Sequence, residues 1–214
     1  MIEELLPATA ASAETFGDPA GARLFPEEEA EVAHAVDKRR REFTGGRWCA
    51  HRALRELGVP VTPIRRGTRG APQWPDGVVG AITHCAGYRG AAVARTGELS
   101  SVGIDAEPSS PLPDGVLEVV SLAAERAHLR RLAAEEPQLN WDRLLFSAKE
   151  SIYKAWYPLT AEWLGFEDAE LHFSPGAFTA KLAKTAHLPD RELDTFTGRW
   201  IVRDGLVLTA VTVS

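Results

Sequence analysis

The feature that most constrains the chain is an order of patterns that occurs twice. A long segment of helical periodicity is followed by short strand-like runs set off by glycine turns. In the first series, Pro26-Glu27-Glu28-Glu29 is a helix start, with proline and carboxylates in the first turn. Apolar Val32, Val36 and Phe43, then Ala50, Leu54 and Leu57, keep helical spacing after it. Gly45-Gly46 is expected to weaken or kink this helix, and Gly58 followed by Pro60 to end it. A loop rich in proline and glycine over 60–77 leads to strand-like runs at Val78–Cys85, Gly90–Thr96 and Ser101–Ala106. Their short turns predict an antiparallel meander. The second series opens with a loop from Pro108 to Gly115. A helical stretch near Leu117–Ala134 follows, then a stronger helix from Trp141 to about Trp156, stopped by Pro158. Short strands are expected at Glu170–Phe173 and Phe178–Leu182, and Asp204-Gly205 predicts a hairpin between Arg199–Val202 and Leu206–Val213.

This order predicts an α+β protein of two similar halves, 1–104 and 105–214, each a small, mainly antiparallel sheet packed with a long helix. Residues 1–26, rich in Ala, Pro and Gly, are expected to lie over the surface. A length of 214 residues suffices for a real core without disulfides or structural metals.

Charge narrows the function. The net charge is −6, which argues against a general nucleic-acid coat. Yet Lys38–Arg69 carries +8 in 32 residues, leaving −14 on the other 182. Two cysteines, Cys49 and Cys85, fit a reduced cytoplasmic protein and are too few for a disulfide scaffold or a thiolate zinc site. No HxH or HExxH spacing points to a histidine-bound metal. Neither a secretory start nor an apolar run of membrane length is present, so no membrane span is expected.

Four constellations carry chemistry. Asp105 and Glu107, at i and i+2 of the run SVGIDAE, point to one face. They are either a solvent-facing strand end or two carboxylates converging on a hard cation such as Mg²⁺. Glu150 and Lys154, at i and i+4 of a helix, are either a surface ion pair or a third carboxylate beside a lysine for phosphate charge. Thr83 and His84 end another strand, where a hydroxyl, an imidazole and turn amides suit phosphate oxygens; a structural histidine is the plainer alternative. In the basic segment, Lys38–Arg41 reads as a solvated or partner-docking face, and Arg47 and Arg69 as phosphate ligands.

The order WPDGVVGAITHCAGYRG, SVGIDAEP, FSAKESIYKAWYPLT, with KRRREF upstream, resembles the Sfp/EntD-type 4′-phosphopantetheinyl transferases, and most closely their actinobacterial members. The resemblance implies a monomer of two similar α+β halves with coenzyme A in the cleft between them. It implies an activity of the holo-[acyl-carrier-protein] synthase type. The phosphopantetheine arm would pass to a serine hydroxyl of apo carrier proteins of fatty-acid, polyketide or nonribosomal peptide synthases, leaving 3′,5′-ADP. By residue, it implies Mg²⁺ (or Mn²⁺) on Asp105, Glu107 and Glu150. Lys154 would lie on the reacting phosphate, Lys149 near the pantetheine, Thr83 and His84 on the phosphates, and Arg47 and Arg69 near the 3′-phosphate and adenine. His51 stands where close relatives have arginine. Glu150 is the candidate base, directly or through a water at the metal. Leu112, Leu117 and Val120 are candidate carrier contacts, aided by the basic residues. The competing readings are another Mg-dependent nucleotide phosphotransferase, disfavoured for ATP by the lack of a P-loop, and a basic-patch binding module. No nucleic-acid partner is expected.

Overall fold

The computed structural model describes all residues from Met1 to Ser214. In chain order the elements are β1 (Ala10–Phe16), α1 (Pro26–Ala30), α2 (Asp37–Glu56), β2 (Val78–Cys85), β3 (Tyr88–Arg95), β4 (Ser101–Pro108), α3 (Val116–Val120), α4 (Ala123–Glu135), α5 (Trp141–Thr160), β5 (Ala169–Ser174), β6 (Ala177–His187), β7 (Glu192–Arg203) and β8 (Leu206–Val213). They build an α+β molecule with a three-stranded sheet, order β1-β3-β2, and a five-stranded sheet, order β4-β8-β7-β6-β5; the pairings in both are antiparallel. Asp204 and Gly205 both take positive φ, as the expected hairpin requires.

Several expectations change. The run β2–β3–β4 is not a meander, because β4 leaves the first sheet and pairs with β8, Ser101 opposite Val213. Membership therefore switches in the turn after Arg95, and the 104/105 division lies inside β4. The first helical segment is two helices, broken between Ala30 and Asp37. Nor does Gly45-Gly46 kink α2. A Cβ there would come within 2.8 Å of Arg89 Cγ and 3.0 Å of Ile82 Cγ2. The two glycines let the helix lie close on the sheet, a packing role that outweighs their low propensity. The stretch 117–134 is likewise split, into α3 and α4. Pro158 sits inside the last turn of α5, which ends at a left-handed Ala161.

The first residues are not a surface wrap. β1 forms an outer strand on β3, and Ile2 and Leu5 are buried. They join Ala81, Tyr88 and Ala92 of the small sheet and Val102, Ile104 and Leu208 of the large one in a single cluster. This shared core fuses the halves. A larger cluster lies between α5 and the five-stranded sheet, with Leu144, Ile152, Trp156, Phe178 and Phe196 at its centre.

Helix α5 is fixed to β8 and β4 by buried polar contacts. Thr209 Oγ1 lies 2.6 Å from Ser151 Oγ and 3.0 Å from Ser147 Oγ, and Ser101 Oγ donates to Ala155 O at 2.7 Å. Directional bonds of this kind fix the register of a helix on a sheet, which greasy contacts alone leave loose. Gly103 permits the approach, since a Cβ there would stand 2.0 Å from Ser151 O.

Candidate functional site

The ends of β2 and β4, the middle of α5, one face of α2 and the loop before β2 meet in a cleft. Lys154 Nζ donates to Asp105 Oδ1 at 2.7 Å and to Ile104 O at 3.1 Å. Asp105 Oδ1 also accepts from Thr83 Oγ1 at 3.1 Å, while its Oδ2 is buried without a partner. Burial pushes the Glu150 carboxyl above the usual range; Lys154 partly offsets this and the Asp105 charge adds to it. Burial and then the Asp105 charge push Glu107 up as well, against the pull of Arg143. The carboxylates thus feel one another across the end of the cleft.

They do not close into a cage, because no three acidic, histidine or cysteine side chains are close enough to enclose an ion. Two cations hold them apart. Lys154 takes Asp105, and Arg143 Nη1 takes Glu107 Oε2 at 2.8 Å. Hard oxygen donors with one buried oxygen unpaired nevertheless fit a hard divalent cation, which needs only a few protein carboxylates.

Three adjoining cavities run along the cleft. One, of about 490 Å³, is lined by Arg69, Trp74, Ile82, Glu150, Tyr153 and Lys154 among others. A second, of about 270 Å³, is basic, with Arg39, Arg47, Arg66, Arg69 and His84 around Glu42. It shares Arg69, Gly70 and Ile82 with the first. A third, of about 180 Å³, shares Glu150 and Tyr153 with the first and is walled by Trp163, Leu164 and Phe166.

Most sequence-predicted residues converge here. Arg47 is 5% exposed and its Nε has no partner. Burial lowers its pKa to about 10, although Glu28 and Glu31 oppose the shift. Arg69 sits at φ 56° with its guanidinium over Trp163, 5.3 Å from the ring centre. A non-glycine residue in that region costs energy that the surrounding structure must supply, which is common at binding sites. His84 Nε2 faces Arg39 Nη1 at 3.1 Å. With a donor there, the ring proton belongs on Nδ1. Burial first, and Arg39 among others, depress its pKa, so the ring is neutral at pH 7.

Three further residues lie outside the large cavity. The Lys149 ammonium does not reach the large cavity. It is buried against Glu125 Oε2 at 2.8 Å and Phe166 O at 2.7 Å, and the residue lines only the smallest cavity. His51 pairs with buried Glu28 at 2.9 Å, which explains a histidine at that position. Val120 faces the interior and Val119 stands 76% exposed in its place. The sequence reading also missed three residues: Arg39, Arg66 and Arg143. Arg39 was grouped with a solvated run, yet Arg39, Phe43 and Arg47 share a helix face by their i, i+4, i+8 spacing. Arg143 ties Glu107 to Ser110 O and Pro111 O at 3.0 and 2.9 Å, and no local pattern signals it.

Residues 27–94 match the 4′-phosphopantetheinyl transferase N-terminal domain, and residues 101–207 match the 4′-phosphopantetheinyl transferase superfamily. The chain is 54% identical to 4′-phosphopantetheinyl transferase Svp of Streptomyces mobaraensis, over 100% of this chain and 89% of that protein. It is 50% identical to 4′-phosphopantetheinyl transferase PptT of Mycobacterium tuberculosis, over 99% and 97%. Identity to 4′-phosphopantetheinyl transferase Npt of Nocardia iowensis is 49%, over 99% of each.

Proposed function

The chain belongs to the 4′-phosphopantetheinyl transferase superfamily, and we propose that it moves the phosphopantetheine arm of coenzyme A to a serine hydroxyl of an apo carrier protein, releasing 3′,5′-ADP. The observation that carries the reading is the cleft's polarity: a basic cavity with four arginines adjoins a larger cavity that ends at Glu150, Lys154 and the Asp105 carboxylate. A donor with a phosphorylated nucleotide at one end and a reacting diphosphate further along needs both signs of charge in one groove.

In this reading the arginines, Arg39, Arg47, Arg66 and Arg69, take the 3′-phosphate and adenine end, and His84 lies beside them on the phosphates. Asp105, Glu150 and Glu107 are the residues that would hold Mg²⁺ or Mn²⁺. Mg²⁺, when bound, neutralises diphosphate charge. Lys154 keeps the reacting phosphate in line and stabilises the charge that collects on it in the transition state. Glu150 accepts the serine proton, directly or through an intervening water. Carrier domains of fatty-acid, polyketide or nonribosomal peptide synthases are the acceptors. They meet the exposed face of α3 and the preceding loop, where half-buried Leu112 and exposed Val119 lie, whereas Leu117 packs against the main core. The enzyme acts as a monomer in the cytoplasm, and no helix of the fold is long and apolar enough to cross a membrane.

Intact-mass analysis of several apo carriers with coenzyme A tests this. Each accepted carrier should gain one phosphopantetheine, with 3′,5′-ADP formed in equal amount and both lost on chelation. Cleavage of coenzyme A with no gain of carrier mass would instead indicate a nucleotide hydrolase.

A further inference from the structure

We infer that Thr83 is a positioning residue for Asp105 and not a ligand of the donor's phosphates. The inference rests on the reading of Asp105 as a metal carboxylate. Thr83 is 2% exposed near the end of β2. Its Oγ1 donates to Asp105 Oδ1 at 3.1 Å and accepts from the Ala106 backbone N–H at 3.0 Å. A threonine hydroxyl has one proton. With that proton given to Asp105, nothing remains for a phosphate oxygen, which at neutral pH is an acceptor. Turning that proton towards phosphate would release Asp105, whose Oδ1 would then keep only Lys154.

The bond does a second thing. Thr83 and Lys154 both occupy Oδ1, so the carboxylate is held about its Cβ–Cγ bond with Oδ2 unpartnered. Oδ2 is then the oxygen offered to the cation. Thr83 belongs to the three-stranded sheet and Asp105 to the five-stranded one. The hydroxyl therefore transmits the placement of one sheet to the metal carboxylate of the other. This is the role that hydrogen-bonding partners behind a metal ligand serve, and their loss costs about 10–100-fold in metal affinity.

The test uses Mn²⁺ alone as the probe, titrated into the full chain without coenzyme A and followed by electron paramagnetic resonance. Thr83→Val and Thr83→Ala should each weaken Mn²⁺ binding by about 10–100-fold, while Thr83→Ser, which keeps the hydroxyl, restores it. Coenzyme A affinity measured in chelator should be the same in all three. The alanine variant leaves room for a water on the Ala106 N–H, so the test survives misfolding of the valine variant. Wild-type Mn²⁺ affinity in Thr83→Ala, or weakened metal-free coenzyme A binding in its place, overturns the role. Asp105→Asn separates the two levels. If it binds Mn²⁺ normally, the metal reading falls and the inference with it. If it alone loses Mn²⁺, only the role of Thr83 falls.

Discussion

Glu150 shows how function and stability oppose each other at one side chain. Burial raises its folded-state pKa above the unfolded value, so its favourable contribution is complete only below the unfolded pKa and is lost as pH rises through the folded one. Glu150→Gln should therefore raise the melting temperature at pH 7, with the gain vanishing as pH falls below about 4. Melting curves across pH check this, and a destabilised variant at pH 7 would contradict it. What could be read at this scale was spacing. Asp105 and Glu107 share a strand face, and Glu150 and Lys154 a helix face, whatever the surroundings. A choice between neighbours could not be read. Val120 differs from Val119 only by a fraction of a helical turn, and that phase is set by distant packing.

Helix α5 and strand β4 form the element pair that holds the site, and Gly103 is the point where they touch. A methyl group there would meet Ser151 O at 2.0 Å. Gly103→Ala should cost about 1–3 kcal/mol or more and displace Glu150 and Lys154 from Asp105. Thermal melting and carrier loading should fall together. A variant with wild-type stability and turnover would contradict this account of the packing. The sequence announced α5, β2 and the β7–β8 hairpin through apolar period and turn chemistry. It hid β1, because AASAETF alternates small residues rather than large apolar ones. It also hid the partner of β4, because the Ser101–Val213 pairing joins residues far apart in the chain.

At the scale of the molecule, one cluster of buried side chains takes Ile2 and Leu5 from the start of the chain, Tyr88 from the small sheet, and Ile104 and Leu208 from the large sheet. Two halves that share a core should unfold together. Calorimetry should give one transition with equal calorimetric and van't Hoff enthalpies, and Ile2→Ala should lower stability by about 2–5 kcal/mol without splitting that transition. Two resolved transitions would mean that the sheets are independent. The charge pattern also makes sense only at this scale. Arg39, Arg47, Arg66 and Arg69 of the basic segment and Glu150 of the acidic remainder are far apart in sequence order, yet they line two adjoining cavities of one cleft. The central claim is that the Asp105 end of that groove carries out phosphopantetheinyl transfer. The most direct test is the intact mass of an apo carrier after incubation with coenzyme A, Mg²⁺ and either the wild-type chain or Asp105→Ala. Wild type should add one phosphopantetheine, and the variant, still melting in one transition, should add none in the same time. Loading by Asp105→Ala at a near-normal rate would contradict the account.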